Sequence, residues 1–166
     1  MGLFSRRRVR RSSDGAYEVH LPDAERALVA DLVEQLRELL TADTDDPSLR
    51  RLFPTAYNQD VERDREYQQL VRDELLERRL AALDTVGSTI DAGRVDEQQL
   101  TGWLTALNDL RLVLGTRLDV SEDAVEVDAD DPDALAHAVY GYLGFLVSEV
   151  VDALADGLPP PTSSEV

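Results

Sequence analysis

The feature that most restricts the fold is the helical spacing of apolar residues along four long segments of the chain. Residues 23–41 show this spacing most clearly, in a stripe formed by Leu28, Leu32, Leu36 and Leu39. Such a stripe is typical of an amphipathic helix that buries one face. Similar stripes occupy residues 60–90, the segment after Asp96 and the segment after Pro132. The pattern predicts a mainly α protein, a bundle of about four main helices.

Start and stop signals place the ends of the first two helices. Pro22 opens the first helix, which we expect to end near Thr41. An additional short helix begins at Pro47 and ends before Pro54, because proline fits the first helical position and breaks a helix further along. The second long segment either runs unbroken or divides near Val71.

The third and fourth helices carry similar signals. Asp96 is a good N-cap for the third helix, which ends at Gly115 or continues to Leu118. The fourth helix opens at Pro132, and Gly157 stops it.

A β-hairpin is predicted before the first helix. Asp14 and Gly15 form a turn signal between two short apolar runs. The second run alternates polar residues with apolar ones at Tyr17, Val19 and Leu21, as a half-buried strand does. A lone hairpin is marginal in water, so we expect this one to pack against the helices.

The length of 166 residues is that of one domain. We predict a single helical domain with its N-terminal hairpin over residues 3–156. A basic arm, residues 1–11, merges into the hairpin. Residues 157–166 are rich in proline and serine and are expected to be disordered.

Composition excludes several kinds of chemistry. The chain has no cysteine, which rules out disulfides, zinc–thiolate sites and cysteine nucleophiles. All 17 basic residues are arginine, so no lysine is present to form a Schiff base. No nucleophile elbow, metalloprotease motif or glycine-rich phosphate loop occurs. These absences favour a protein without enzyme activity, and no cofactor is expected.

Charge is distributed unevenly along the chain. The formal net charge is −17, yet residues 1–11 contain no acidic residue and include Arg6, Arg7, Arg8, Arg10 and Arg11. The arm either binds nucleic acid or anionic lipid, or contacts the protein's own acidic surface. The arm lacks the apolar stretch of an export signal, and no apolar run approaches the ~18 residues that span a membrane. We therefore predict a cytoplasmic protein that does not bind membranes.

Polar residues interrupt the apolar third helix. Asn108 and Arg111 lie three residues apart on one face, whereas Asp109 points elsewhere. A partly buried Arg111 needs an acidic partner, for which Asp109 and Glu66 are the candidates. One interpretation is a structural hydrogen-bonded network.

The alternative interpretation is an anion site in the same region. Arg51, Arg111 or Arg117 would bind the anionic group, and Asn108 and Tyr57 would orient it.

Metal binding is not indicated. The two histidines, His20 and His137, are far apart in sequence. The acidic run at residues 128–133 lacks the glycine and the final glutamate of a calcium-binding loop.

Two motifs carry a resemblance to a known family. They are residues 107–118, LNDLRLVLGTRL, and residues 46–57, DPSLRRLFPTAY. Together with Glu66, Tyr67 and Trp103, they resemble an actinobacterial family of uncharacterised proteins, the domain of unknown function numbered two thousand and seventeen. Tyr67 and Gln68 stand where the family usually has Phe-Arg, and Val71 stands where a helix-capping threonine is common. A role that depends on that arginine, or a helix break at position 70, is therefore not implied for this chain.

The resemblance implies no chemistry, but it suggests a cellular context. Family members are often encoded near the Clp adaptor ClpS and near genes of sulfur-carrier cysteine synthesis. We therefore expect a non-enzymatic accessory or regulatory factor that binds another protein, with a link to Clp proteolysis or cysteine metabolism. Homodimerisation through an exposed helix face is also possible. The alternatives are a nucleic-acid-binding regulator that uses the basic arm and a binder of a small anionic ligand.

Overall fold

A computed structural model describes residues 6–53, 63–119 and 130–161. Over these residues the fold is mainly α, as predicted, with four long helices and a small antiparallel sheet. The helices are α1 (Asp23–Ala42), α2 (Arg63–Thr89), α3 (Glu97–Arg117) and α4 (Ala134–Asp156), and a short 3₁₀ helix covers Pro47–Leu49. The strands are β1 (Val9–Arg11), β2 (Tyr17–Val19) and β3 (Arg94–Val95).

Helix α1 follows the predicted bounds. Acidic residues Asp23 and Glu25 occupy its first turn, where the positive end of the helix dipole favours negative charge. Its buried face is formed by Val29, Val33, Leu36 and Leu40.

Helix α2 is continuous, so a break near Val71 is not observed. Residues around Val71 are good helix formers, and Val71 itself is half-buried. Leu83 and Val86 on α2 are fully buried, and the indole of Trp103 on α3 donates a 2.8 Å hydrogen bond to Thr89 Oγ1. The single tryptophan is therefore buried at the α2–α3 interface, where this hydrogen bond fixes the orientation of its indole.

The predicted hairpin is present and belongs to a larger sheet. β1 and β2 pair with Val9 opposite Val19, and Gly15 in the turn has a φ of 89°, which suits glycine. A third strand, β3, pairs with β2 and had not been predicted. With two residues it has no sequence periodicity, and it forms because the α2–α3 connection passes beside the hairpin.

Helix α3 begins as predicted and ends later than its glycine suggests. Asp96 and Gln99 form a capping box at the start. Gly115 lies inside the helix, which continues to Arg117. A Cβ on Gly115 would lie 2.9 Å from Tyr140 Cε2 on α4, so the glycine permits close helix packing there.

Helix α4 packs its buried face, formed by Leu143, Leu146, Val150 and Ala153, into the bundle. By length and composition alone this helix is apolar enough to cross a membrane, contrary to the expectation from sequence. A core helix of a soluble protein that passes the same test is mostly buried, whereas 17% of the apolar window of α4 is buried. The predicted disordered tail is described only to residue 161, and residues 158–161 form no helix or strand.

Candidate functional site

The central motif on α3 supplies a buried ion pair. Asp109 is 2% exposed, and Arg79 Nη1 on α2 donates a 2.5 Å hydrogen bond to its Oδ1. Arg79 Nη2 also donates to the backbone oxygen of Leu52, 3.1 Å away, beyond the 3₁₀ helix. Burial raises the pKa of the Asp109 carboxyl, and the Arg79 guanidinium partly offsets this rise. The pair joins three segments of the fold and has the character of a structural contact.

The partner predicted for Arg111 is therefore wrong. Asp109 is paired with Arg79, and Glu66 is exposed on α2. Arg111 instead lies over the ring of Tyr140 on α4, with 5.5 Å from its Cζ to the ring centroid. Sequence reasoning missed Arg79, although the residue falls in the α2 stripe between Leu75 and Leu83, where an apolar residue is expected.

The predicted anion site is only partly assembled among the described residues. Arg51 is exposed, and its Nη1 would lie 3.7 Å from a Cβ on Gly115, close to the ring that Arg111 covers. Asn108 is half-buried on α3, and Tyr57 lies outside the described residues. Arg51, Asn108 and Arg111 do not line the cavity described next, whereas Arg117 does.

An open apolar cavity of about 410 Å³ lies between α1 and α3. We call it the α1–α3 groove. Its floor is formed by the buried residues Leu36, Leu110, Val113 and Leu143. Its walls and rim are formed by Leu32, Gln35, Glu38, Leu39, Ala42, Leu114 and Arg117.

The groove has an acidic edge on α1. Glu38 is exposed at the rim, and Gln35 donates a 2.8 Å hydrogen bond to exposed Asp31. The last turn of α1 contains no basic residue, so the negative end of its dipole is not offset there. On the α3 side, Arg117 is the only cation that lines the groove among the described residues, and it acts electrostatically on Asp46 just beyond α1. Negative groups therefore outnumber positive ones at this end.

The basic arm is largely engaged with the protein's own acidic groups. Arg8 Nη2 donates a 2.8 Å hydrogen bond to Glu25 Oε1 on α1, and Arg10 Nε donates a 2.5 Å hydrogen bond to Glu18. Arg7 lies 3.7 Å from Asp156 at the end of α4. Arg6 and Arg11 are exposed. These contacts match the interpretation in which the arginines meet the acidic surface of the chain.

Glu25 and Glu149 hold the hairpin against the helices. Tyr142 on α4 donates a 2.6 Å hydrogen bond to Glu25, and the backbone N–H groups of Arg8 and Val9 donate to Glu149. The Arg8 guanidinium lowers the pKa of Glu25. Burial and the bond to Glu25 raise the pKa of the Tyr142 hydroxyl.

Helix α4 presents a second surface to solvent, on the side away from its buried face. We call it the α4 outer face, and it consists of the exposed residues Ala138, Gly141, Phe145, Ser148, Val151, Asp152 and Ala155. Phe145 is 39% exposed and Val151 is 46% exposed. Asp152 is the only charged residue among these seven, and the Arg8 guanidinium of the basic arm lies over the Phe145 ring, with its Cζ 6.0 Å from the ring centroid. Apart from the adjoining backbone of α4, no described atom lies within 4 Å of a Cβ placed on Gly141.

Comparison with known proteins identifies the family. A curated protein of Mycobacterium leprae, provisionally named oxidative stress regulator AosR, is 30% identical over 138 residues. The similarity covers 66% of this chain and 59% of that protein, so the chain spans less than two thirds of its relative. No solved structure is significantly similar to the chain. A family model described as a domain of unknown function, DUF2017, matches residues 6–154. The chain therefore belongs to the DUF2017 family, as the two sequence motifs suggested.

Proposed function

We propose that this protein is a non-enzymatic regulatory factor that binds a basic protein partner through the α4 outer face. The observation that carries the proposal is an apolar surface on a helix whose opposite side is already packed in the bundle. Contiguous exposed apolar surface of this kind marks interaction sites in soluble proteins.

Gly141 adds to the argument for a partner. A glycine inside a helix costs about 1 kcal/mol relative to alanine. Gly115 has a packing reason for this cost, because Tyr140 occupies the space of its missing side chain. Gly141 has no such neighbour among the described residues and leaves room for a partner's side chain. Because Gly87 in α2 is equally open, Gly141 supports the proposal only together with the apolar residues around it.

The charge of the chain selects the kind of partner. Two copies, each with a formal charge of −17, repel one another, which disfavours a homodimer. A basic surface is attracted by the same charge, and Asp152 offers it a pairing group beside the apolar residues. We therefore assign the α4 outer face to a partner with apolar side chains flanked by arginine or lysine.

The regulatory part of the proposal rests on the M. leprae relative, whose name describes it as a regulator in oxidative stress. These 166 residues contain no cysteine, so thiol oxidation cannot be their response. Regulation through a bound protein needs no oxidisable thiol. The link to Clp proteolysis or cysteine metabolism stays a prediction from gene neighbourhood.

A matched pair of variants tests the proposal. Ser148→Arg places bulk and positive charge on the α4 outer face, and Ser88→Arg makes the same change at an exposed position of α2. A protein captured from lysate at low salt would be purified, and its affinity would be measured for the wild type and both variants. We expect Ser148→Arg to weaken binding by about ten-fold or more and Ser88→Arg to leave it unchanged.

Two outcomes would contradict the proposal. Equal affinity of the two variants would remove the α4 outer face as the site. Failure to retain any protein at low salt would remove partner binding itself.

The nucleic-acid alternative has less support, since Arg7, Arg8 and Arg10 lie in ion pairs with acidic side chains. It predicts that the protein binds a DNA or RNA duplex with an affinity that falls steeply with salt and is lost when residues 1–11 are removed. A gel-shift titration with and without these residues tests it.

A further inference from the structure

The α1–α3 groove and the α4 outer face lie on different sides of the molecule. Leu143, in the groove floor, and Gly141, on the outer face, are two residues apart on α4, which is about 200° around a helix. A partner on the α4 outer face therefore leaves the groove open. The groove needs its own explanation.

We propose that the α1–α3 groove is a second docking site, which binds an amphipathic helix with basic residues beside its apolar stripe. The groove runs along α1 from Leu32 to Ala42, ten residues or about 15 Å, which is close to three helical turns. A helix of that length presents apolar side chains at positions i, i+3, i+4 and i+7 to such a groove.

The lining supplies the apolar half of the recognition. Leu36, Leu110, Val113 and Leu143 form a floor that is almost fully buried, while Leu32, Leu39 and Leu114 are half-buried walls. Covering the walls would remove their remaining aliphatic surface from water. The space of about 410 Å³ between α1 and α3 is open and can receive the apolar side chains of a docked helix.

The charges around the groove select a basic helix over an acidic one. Asp31 and Glu38 are exposed along the α1 edge, and the C-terminal end of α1 carries a partial negative charge. Asp46 beyond α1 is already engaged, because its carboxylate accepts hydrogen bonds from the backbone N–H and hydroxyl of Ser48. Arg117 is the opposing charge on the α3 side. An acidic helix could pair with Arg117 but would face the carboxylates of α1, whereas a basic helix pairs with those carboxylates.

Together the two surfaces would make the protein a bivalent adaptor that holds a folded basic partner on one side and a helical segment on the other. The groove proposal does not depend on the α4 outer face, because different residues carry it. Its test uses the full chain and reports on both surfaces at once.

The probe is a designed 18-residue amphipathic peptide with leucines at helical spacing and arginines on the flanks. Two controls accompany it: an analogue in which glutamate replaces every arginine, and a scrambled peptide of identical composition without the apolar stripe. Binding is followed by methyl NMR, with Leu32, Leu39 and Leu114 reporting on the groove and Val151 on the α4 outer face. We expect saturable one-to-one binding of the basic peptide, with shifts confined to the groove reporters.

A charge-matched pair of variants separates specific docking from general attraction to an acidic protein. Glu38→Gln removes a negative charge at the groove rim, and Glu77→Gln removes a negative charge at an exposed position of α2. We expect Glu38→Gln to lower the affinity for the basic peptide about two- to five-fold. Glu77→Gln should have no measurable effect on this affinity beyond that of the net charge. Ala42→Trp, which fills the exposed end of the groove, should lower the affinity for the basic peptide further.

The proposal would be overturned by equal binding of the scrambled peptide, by equal effects of the two glutamine variants, or by stronger binding of the acidic analogue. Shifts at Val151 alone would assign the peptide to the α4 outer face. That outcome would remove the groove proposal while leaving the proposed function standing.

Discussion

Arg79 on α2 donates a 2.5 Å hydrogen bond to Asp109 on α3, and the Asp109 side chain is only 2% exposed. The same arginine donates to the backbone oxygen of Leu52. Arg79 Nε and Asp109 Oδ2 are buried without a hydrogen-bond partner among the described residues. The positive charge of Arg79 therefore compensates the buried negative charge of Asp109 in an environment of low polarity, and the stability of the fold depends on both side chains being present.

Replacing Arg79 should be strongly destabilising. Arg79→Leu leaves the Asp109 carboxylate buried without its cation, which typically costs about 3–5 kcal/mol. Urea unfolding, followed by tryptophan fluorescence, measures the change. Arg78→Gln is the control, because Arg78 is exposed on the same helix and should change stability by no more than about 0.5 kcal/mol.

The double variant Arg79→Leu/Asp109→Leu distinguishes pairing from packing. Removing both charges leaves no isolated ion, so we expect a smaller loss than for Arg79→Leu alone. A double variant that is less stable than Arg79→Leu would show that the pair contributes more than mutual compensation.

Trp103 offers a second stability test. Its indole donates to the buried Thr89 hydroxyl across the α2–α3 interface. Thr89→Val keeps the shape of the side chain but leaves the indole N–H without an acceptor, at a cost of about 1–3 kcal/mol. Because Trp103 is 1% exposed, its emission in the wild type should be blue-shifted and poorly quenched by acrylamide. Strong quenching in the native protein would contradict the described packing.

Two glycines in helices should respond to alanine with opposite signs. Gly115→Ala forces the Tyr140 ring away from its place beneath Arg111, an overpacking that costs about 1–3 kcal/mol. Gly141→Ala meets open space and should stabilise the free protein by up to about 1 kcal/mol. Thermal unfolding of both variants checks the difference, and a gain at Gly115 would be inconsistent with the observed approach of α3 and α4.

Glu25 should make the stability depend on pH under acidic conditions. The hydrogen bond from Arg8 lowers the pKa of Glu25 in the folded state, so the unfolded chain takes up the proton first as pH falls. The stabilisation by Glu25 is thus present above its unfolded pKa of about 4.3 and is lost as pH falls through the lower folded value.

Glu25→Gln isolates this contribution. At pH 7 the variant should be less stable than the wild type by about 1–3 kcal/mol, and the difference should shrink below pH 4. The raised pKa of Asp109 acts in the opposite direction, since the folded state takes up this proton more readily than the unfolded chain and gains stability as pH falls. Asp109 is common to both proteins and cancels in the comparison. A stability difference that stays constant down to pH 2 would contradict the assignment.

The candidate sites were only partly predictable from the sequence. The motif with Asp109 and Arg111 was correctly recognised as a place where polar groups meet the core, but both partners, Arg79 and Tyr140, were missed. Residues 30 positions apart share no local pattern that would pair them. Arg117 was named as an anion ligand, yet its setting beside Glu38 and Asp46 depends on how α1 and α3 diverge.

The four helices, the capping of α3 by Asp96 and the hairpin around Gly15 could all be predicted from local sequence patterns. These features follow from side-chain periodicity, capping residues and backbone freedom, which act over a few residues. Tertiary structure alone decided the third strand, the partners of Arg79 and Arg111, and the two exposed surfaces. Each depends on the angle and separation at which helices distant in the chain pack, because those two quantities decide which side chains meet and which remain uncovered.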